Sequence, residues 1–168
     1  RALTDANVLF SGTAFPRWPR EVLRHATAAD FHLVLCPLVI EQARRNLSKR
    51  FPEYLDRFDQ FLELLDFELV PDPTEEDIQA HRNLVRDLGD VAVALAAITA
   101  KADYLVSEDK DLTVQDESTA ELRKHVKVVV SGTFLREAMG WTSEHLEAIR
   151  HRKWSDIKEV EEKREHEI

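Results

Sequence analysis

Residues 89–107, GDVAVALAAITAKADYLVS, join a helix with no polar face to a strand in one run. Gly89-Asp90 opens the helix. From Val91 to Ala100 every side of it is apolar, so it belongs in the interior of the molecule and not on its surface. Tyr104 to Ser107 is a short β-capable run. A fully buried helix delivering the chain into a strand fits a parallel sheet covered on both faces. The same alternation extends in both directions. Ala2 to Phe10 (ALTDANVLF) reads as a strand ended by Ser11-Gly12, Pro19 to Ala28 as a helix, and Phe31 to Cys36 as a strand closed by Pro37. Pro37 fits the first turn of a helix running to Leu47. Pro52 to Leu65 is amphipathic, with Phe58 and Leu65 on its apolar face, and Phe67 to Val70 is a short strand before the Pro71-Asp72-Pro73 turn. Thr74 with Asp77 three residues on resembles a capping pattern into a helix over Asp77 to Val85. Val126 to Val130 is the last strand, preceded by a short helix at Ala120 to Lys124 and followed by one at Phe134 to Met139. Beyond Gly140 the segment Ser143 to Glu165 reads as one long, charged helix. This is an α/β pattern with a central parallel sheet, whose ligand site is expected at the carboxyl ends of the strands.

The 168 residues carry 32 acidic and 23 basic side chains, a net charge of −9 with histidine neutral, and one cysteine. Cys36 alone excludes an internal disulfide and a multi-cysteine zinc site, and it reads as a buried inert thiol. No apolar run approaches the ~20 residues that span a bilayer. With a start inside a strand-like pattern and no charged-then-apolar leader, a cytoplasmic chain is expected, with no membrane partner. The negative balance argues against indiscriminate coating of nucleic acid, which depends on Lys and Arg neutralising phosphates. The chain has no glycine-rich phosphate loop, dinucleotide fingerprint, nucleophile elbow or His-Glu-x-x-His sequence. Seven histidines show no pair at metal-ligand spacing.

Certain carboxylates stand out by position. Asp5 interrupts an apolar run, where an ionised group costs several kcal/mol unless paired or metal-bound. Glu41 lies one turn into the helix after the second strand, among apolar neighbours, and reads equally as a helix-surface acid. Asp90 begins the apolar helix, where an Asp also serves as a cap, and Asp109 follows the strand Tyr104 to Ser107, where a solvated turn also accounts for it. Taken together, two strand ends and the first turns of two helices converge on one crevice. Four converging carboxylates repel unless hard cations neutralise them.

The spellings Thr4-Asp5-Ala6-Asn7-Val8-Leu9, Pro37-Leu38-Val39-Ile40-Glu41, Gly89-Asp90-Val91-Ala92-Val93-Ala94-Leu95-Ala96-Ala97 and Ala102-Asp103-Tyr104-Leu105-Val106-Ser107-Glu108-Asp109-Lys110-Asp111-Leu112 resemble, in order and spacing, the successive motifs of the PIN-domain family. The resemblance covers roughly Leu3 to Leu135 and is weakest between Ser48 and Arg86. It implies a three-layer α/β/α sandwich and a metal-dependent nuclease, of the kind found in VapC-like toxins. Residue by residue, Asp5, Glu41, Asp90 and Asp109 match the acidic quartet that binds Mg²⁺ or Mn²⁺, with RNA as the usual substrate. Asn7 matches a polar residue supporting the first Asp, and Ser107 stands where the family has Thr or Ser before the last one. Asp87 and Asp111 are further acids in supporting places. An all-carboxylate set suits Mg²⁺ or Mn²⁺ over zinc. Arg44 and Arg45, three and four residues after Glu41, are candidates for substrate phosphates, with ordinary helix-surface arginines as the plain alternative.

These readings divide the chain into a PIN-like nuclease domain at 1–140 and a charged helical extension at 141–168. The expected partners are an RNA substrate, an antitoxin protein if the chain is a toxin, and a second copy in a homodimer. The alternative is a scaffold or binding module that keeps the acids but acts through protein partners. Much of the −9 belongs to the quartet and to Ser155–Ile168, so the acidity does not exclude nucleic acid as a substrate.

Overall fold

The computed structural model describes residues 1–157. Five short parallel strands, β1 (Ala2–Thr4), β2 (Leu33–Leu35), β3 (Phe67–Leu69), β4 (Tyr104–Val106) and β5 (Lys127–Val129), form one sheet in the order β3-β2-β1-β4-β5. Parallel neighbours need long crossovers, and helices supply them. These are α1 (Ala6–Ala14) and α2 (Trp18–Thr27) between β1 and β2, α3 (Pro37–Arg50) and α4 (Leu55–Leu64) between β2 and β3, and α5 (Glu75–Ala80) and α6 (Leu88–Thr99) between β3 and β4. The short α7 (Lys110–Thr113) and α8 (Ala120–Arg123) precede β5, and α9 (Ser131–Met139) and α10 (Ser143–Ile149) follow it. This is the expected three-layer α/β/α architecture.

Side-chain alternation along the strands divides the core between the faces of the sheet. Leu3, Leu105 and Val128 join one cluster with Leu95, Ala97 and Val39, while Ala2, Val106 and Val129 join another with Val8, Val22 and Phe134. The apolar helix is α6, and Val91 to Ala97 are all buried, as its spelling requires. Gly12 permits the close crossing of α1 and α2, since a Cβ there would meet Leu23 Cδ1 at 2.6 Å and Pro19 O at 3.1 Å. Gly140 ends α9 in the left-handed conformation at φ 77°, the ordinary use of glycine after a helix.

Three local expectations change. The run Ala2 to Phe10 is not one strand: β1 stops at Thr4, and Asp5 caps α1 by accepting the Ala6 N–H at 2.7 Å. A fully buried apolar run looks the same as helix or strand, because neither leaves a polar face to reveal its period. The helix expected at Asp77 to Val85 starts earlier and is shorter, Glu75–Ala80, although Thr74 does accept the Asp77 N–H. The long helix expected over Ser143 to Glu165 stops at Ile149, and residues 158–165 of it lie outside the described residues. A break at 150–153 lets Arg152 and Trp154 reach α1 and α2, and the Asp156 carboxylate accepts the Lys153 N–H where a new helical turn begins. Such a backward bond from the third helical position is a start signal.

Candidate metal centre

The strand order reverses at β1 and β4: successive units run outward from β1 through β2 to β3, and from β4 to β5 on the other side. In an open parallel sheet the crevice at such a reversal, beyond the carboxyl ends of the strands, is the usual ligand site. Asp5 and Ser107 are the residues immediately after β1 and β4, and the Asp5 N–H binds Val106 O at 2.9 Å.

Asp5 is 7% exposed. Its Oδ1 accepts the Ala6 N–H, and its Oδ2 accepts from Ser107 Oγ at 2.8 Å and from Asn7 Nδ2 at 3.3 Å. Burial raises its pKa; the Ser107 and Ala6 hydrogen bonds oppose that, and the Asp109 charge adds to it. Ser107 is the keystone of this junction, because its Oγ also accepts the Asp109 N–H at 3.0 Å. Asn7 closes the ring by accepting the Glu108 N–H on Oδ1 at 3.0 Å. The two supporting residues thus tie the first acid to the loop that carries the last.

Asp90 lies in the first turn of α6, whose cap is Asp87 through a bond from the Gly89 N–H at 2.9 Å. The cap expected at Asp90 therefore falls three residues earlier. Relieved of capping, Asp90 points an oxygen inward, and Oδ2 is buried with no hydrogen-bond partner. Burial first, then the charge of Asp109 and a side-chain hydrogen bond with it, then the charges of Asp5 and Asp87, push its pKa up to about 8. Asp109 in turn caps α7, with Oδ1 accepting the Asp111 N–H at 2.9 Å. Asp87, Asp90 and Asp111 each bring one carboxylate oxygen within 4.8 Å of the others. A cluster of negative groups this close is a fitting cradle for a hard divalent cation, and the orphaned Asp90 oxygen is the atom such an ion would satisfy.

Of the expected quartet, Asp5, Asp90 and Asp109 act on one another electrostatically. Glu41 is exposed on α3, and its Oε1 accepts from Arg45 Nη2 at 2.8 Å. Arg44 pairs with Asp59 at 2.8 Å and lies over the Phe58 ring. Asp87 and Asp111 sit closer to Asp90 than their supporting rank in the sequence reading suggests. The signal was present in the spacing, since Asp87 precedes Asp90 by one helical turn and Asp111 follows a capping Asp by two residues. A hollow of about 780 Å3 runs along β5 by Lys101, Arg123 and Lys127, and none of these six acids lines it.

A family model described as PIN domain matches residues 1–111. The chain belongs to the PIN-domain family. PIN domains are nuclease-type, metal-dependent hydrolases, and the oxygen-only cluster around Asp90 agrees with their use of divalent ions. The crystal structure of PAE2754 from Pyrobaculum aerophilum is similar in fold, with a TM-score of 0.56 and 18% identity over 84% of this chain and 96% of that one. No curated protein matches the chain. Among the described residues no helix is long and apolar enough to cross a membrane. Cys36 is buried and unpaired, with its thiol pushed by burial up to about 11, as an inert packing residue should be.

Proposed function

We propose that this PIN-domain protein is an endoribonuclease whose Asp5, Glu41, Asp90 and Asp109 hold Mg²⁺ or Mn²⁺, with Asp87 and Asp111 beside them. One observation carries the reading: Asp90 Oδ2 is buried without a partner amid carboxylates at the reversal of strand order. Such an atom is costly unless a proton or a cation satisfies it. The donors are all carboxylate oxygens, the preference of hard cations. When bound, a divalent ion supplies Lewis-acid activation of water and neutralises charge on the phosphoryl oxygens.

The protein's part is orientation and charge. Asp5 is held in one position by three donors, so its carboxylate needs no reorganisation when substrate arrives. Asp109 is fixed by its own cap at the start of α7. Glu41 joins the set by leaving Arg45, an exposed helix pair worth about 0.3–0.5 kcal/mol. Arg45 is then released to meet a phosphate oxygen, as a guanidinium fork suits. RNA as the substrate follows from the family resemblance.

The test incubates end-labelled RNA and single-stranded DNA with the protein in Mg²⁺, Mn²⁺ or EDTA, beside Asp5→Asn and Asp90→Asn. Metal-dependent cutting of RNA that both variants lose is the expected result. Cutting unchanged in both variants overturns the site, cutting of DNA alone overturns the substrate, and no cutting under any metal favours a PIN-like scaffold.

A further inference from the structure

A cavity of about 310 Å3 is lined by Ser11, Phe15, Arg17, Trp18, Glu108 and Arg150, and Glu108 is the residue before Asp109. We propose that this cavity is a subsite for one nucleotide of single-stranded RNA adjoining the scissile phosphate. Its base lies against Phe15 and Trp18, and its phosphate meets Arg17 and Arg150. The inference rests on the nuclease reading above and assigns that reaction a substrate contact.

Three observations support it. The first is continuity. The Glu108 N–H donates to Asn7 Oδ1 at 3.0 Å and Asn7 Nδ2 donates to Asp5 Oδ2 at 3.3 Å, so the cavity wall is hydrogen-bonded to the first acid. Ser11 lies one turn beyond Asn7 on α1. The second is the chemistry of the lining. Bases of single-stranded RNA are captured by stacking on aromatic rings, and phosphates by arginine. Trp18 is held in place, with its Nε1–H on Leu146 O at 3.0 Å and its ring against Gly132, where a Cβ would meet Cε3 at 3.0 Å. Both arginines are exposed: Arg17 lies over the Phe15 ring at 5.6 Å with its Nε 3.4 Å from Arg152 O, so a base and the guanidinium would share that ring, and Arg150 Nη1 reaches Glu147 Oε2 at 3.6 Å. Glu108 Oε1 takes the Ser131 N–H at 2.9 Å, which leaves Oε2 as an acceptor for an N–H on a base edge. The third is size. The volume falls at the lower bound of small-molecule clefts, roughly 300–1,000 Å3, which fits one nucleoside and not a docked helix. Arg150 lies beyond the residues matched to the family model, so this wall is contributed by the chain's own C-terminal segment.

The experiment measures binding of fluorescein-labelled single-stranded RNA by anisotropy, with full-length Asp90→Asn protein in EDTA so that nothing is cut. It compares that protein with one also carrying Arg17→Gln and Arg150→Gln, and single abasic sites are walked along the RNA. The double change should weaken binding about tenfold and lower the slope of log affinity against log salt by about 0.7, the loss of one phosphate contact to a single strand. One abasic position should cost about tenfold while its neighbours cost little. Equal affinity and slope in the two proteins, a flat abasic profile, or no binding by the Asp90→Asn protein each overturns the subsite. The parent reading fails separately: arginine-dependent binding of an RNA that native protein never cuts keeps the subsite and removes the nuclease. Cleavage whose KM ignores both arginines does the reverse.

Discussion

Ser107 Oγ donates to Asp5 Oδ2 at 2.8 Å while accepting the Asp109 N–H at 3.0 Å, so one hydroxyl joins two acids that are 104 residues apart in sequence. Ser107 is fully buried. Ser107→Ala leaves the Asp5 oxygen and the Asp109 N–H short of a partner, and should cost about 1–3 kcal/mol by urea unfolding. Supporting bonds to ligands typically change metal affinity about 10–100-fold, and a metal titration of the variant should fall in that range. Ser107→Thr keeps the hydroxyl and should retain most of the affinity.

The crowding around Asp90 has a pH signature in metal-free protein. Folding raises its pKa from the ordinary carboxyl value to about 8, so between about pH 4 and pH 8 the folded state binds more protons than the unfolded chain. Stability from this group is therefore full at the acidic end and falls as pH rises through that window. Asp5, also raised, works in the same direction. Melting temperatures in EDTA should decline from pH 5 to pH 8, and Asp90→Asn should flatten the decline and melt higher than the native protein at pH 8. A native profile that rises across this range counts against the crowding.

Glu41 separates ligation from stability. Its bond to Arg45 is an exposed i,i+4 pair, worth about 0.3–0.5 kcal/mol. Glu41→Gln should therefore shift the melting temperature by about two degrees or less, yet lower metal-dependent cleavage at least about tenfold if the residue supplies the fourth carboxylate. Arg45→Ala should leave stability equally unmoved. Cleavage by Glu41→Gln at the native rate removes Glu41 from the quartet.

Residues 141–157 belong to the folded body. Arg152 Nη2 meets Glu21 Oε1 at 2.7 Å with both side chains largely buried, and its Nε donates to Pro16 O at 2.7 Å. Trp154 Nε1 donates to Ala14 O at 3.0 Å, and its ring lies against the Arg57 guanidinium at 4.0 Å. Arg152→Ala leaves the buried Glu21 carboxylate only the longer contact to Arg24 at 3.8 Å and should cost about 3 kcal/mol, read by denaturant unfolding. A loss under about 0.5 kcal/mol, typical of surface substitutions, would show the segment to be peripheral.

The architecture was legible wherever burial leaves a pattern. The run Val91 to Ala100, ten residues and rich in alanine, was legible as an internal helix by its length and composition, and Pro37 and Gly140 stand at the helix ends where their backbones fit. Asp5 was legible as an acid in an apolar setting, because a buried charge is expensive enough to need a reason. The end of β1 at Thr4 was not legible, since a cap depends on one Oδ1···H–N bond that composition does not show. The break after Ile149 was hidden for a similar reason: Arg152 looks like any surface cation until its partner, Glu21, is brought to it from 131 residues away. Asp90 and Asp109 were ambiguous singly and stood out only through their joint positions and the family resemblance, and the placement of the α6 cap at Asp87 was not read from the spelling.

The central claim is that the carboxylates at the reversal of strand order form a divalent-metal centre focused on Asp90. Electron paramagnetic resonance of free Mn²⁺, titrated with purified protein at pH 8, measures this directly. The native chain should remove the free-ion signal with saturable stoichiometry, Asp90→Asn and Asp5→Asn should lose that binding, and Asp87→Asn or Asp111→Asn should weaken it. Binding by Asp90→Asn with native affinity and stoichiometry would contradict the account.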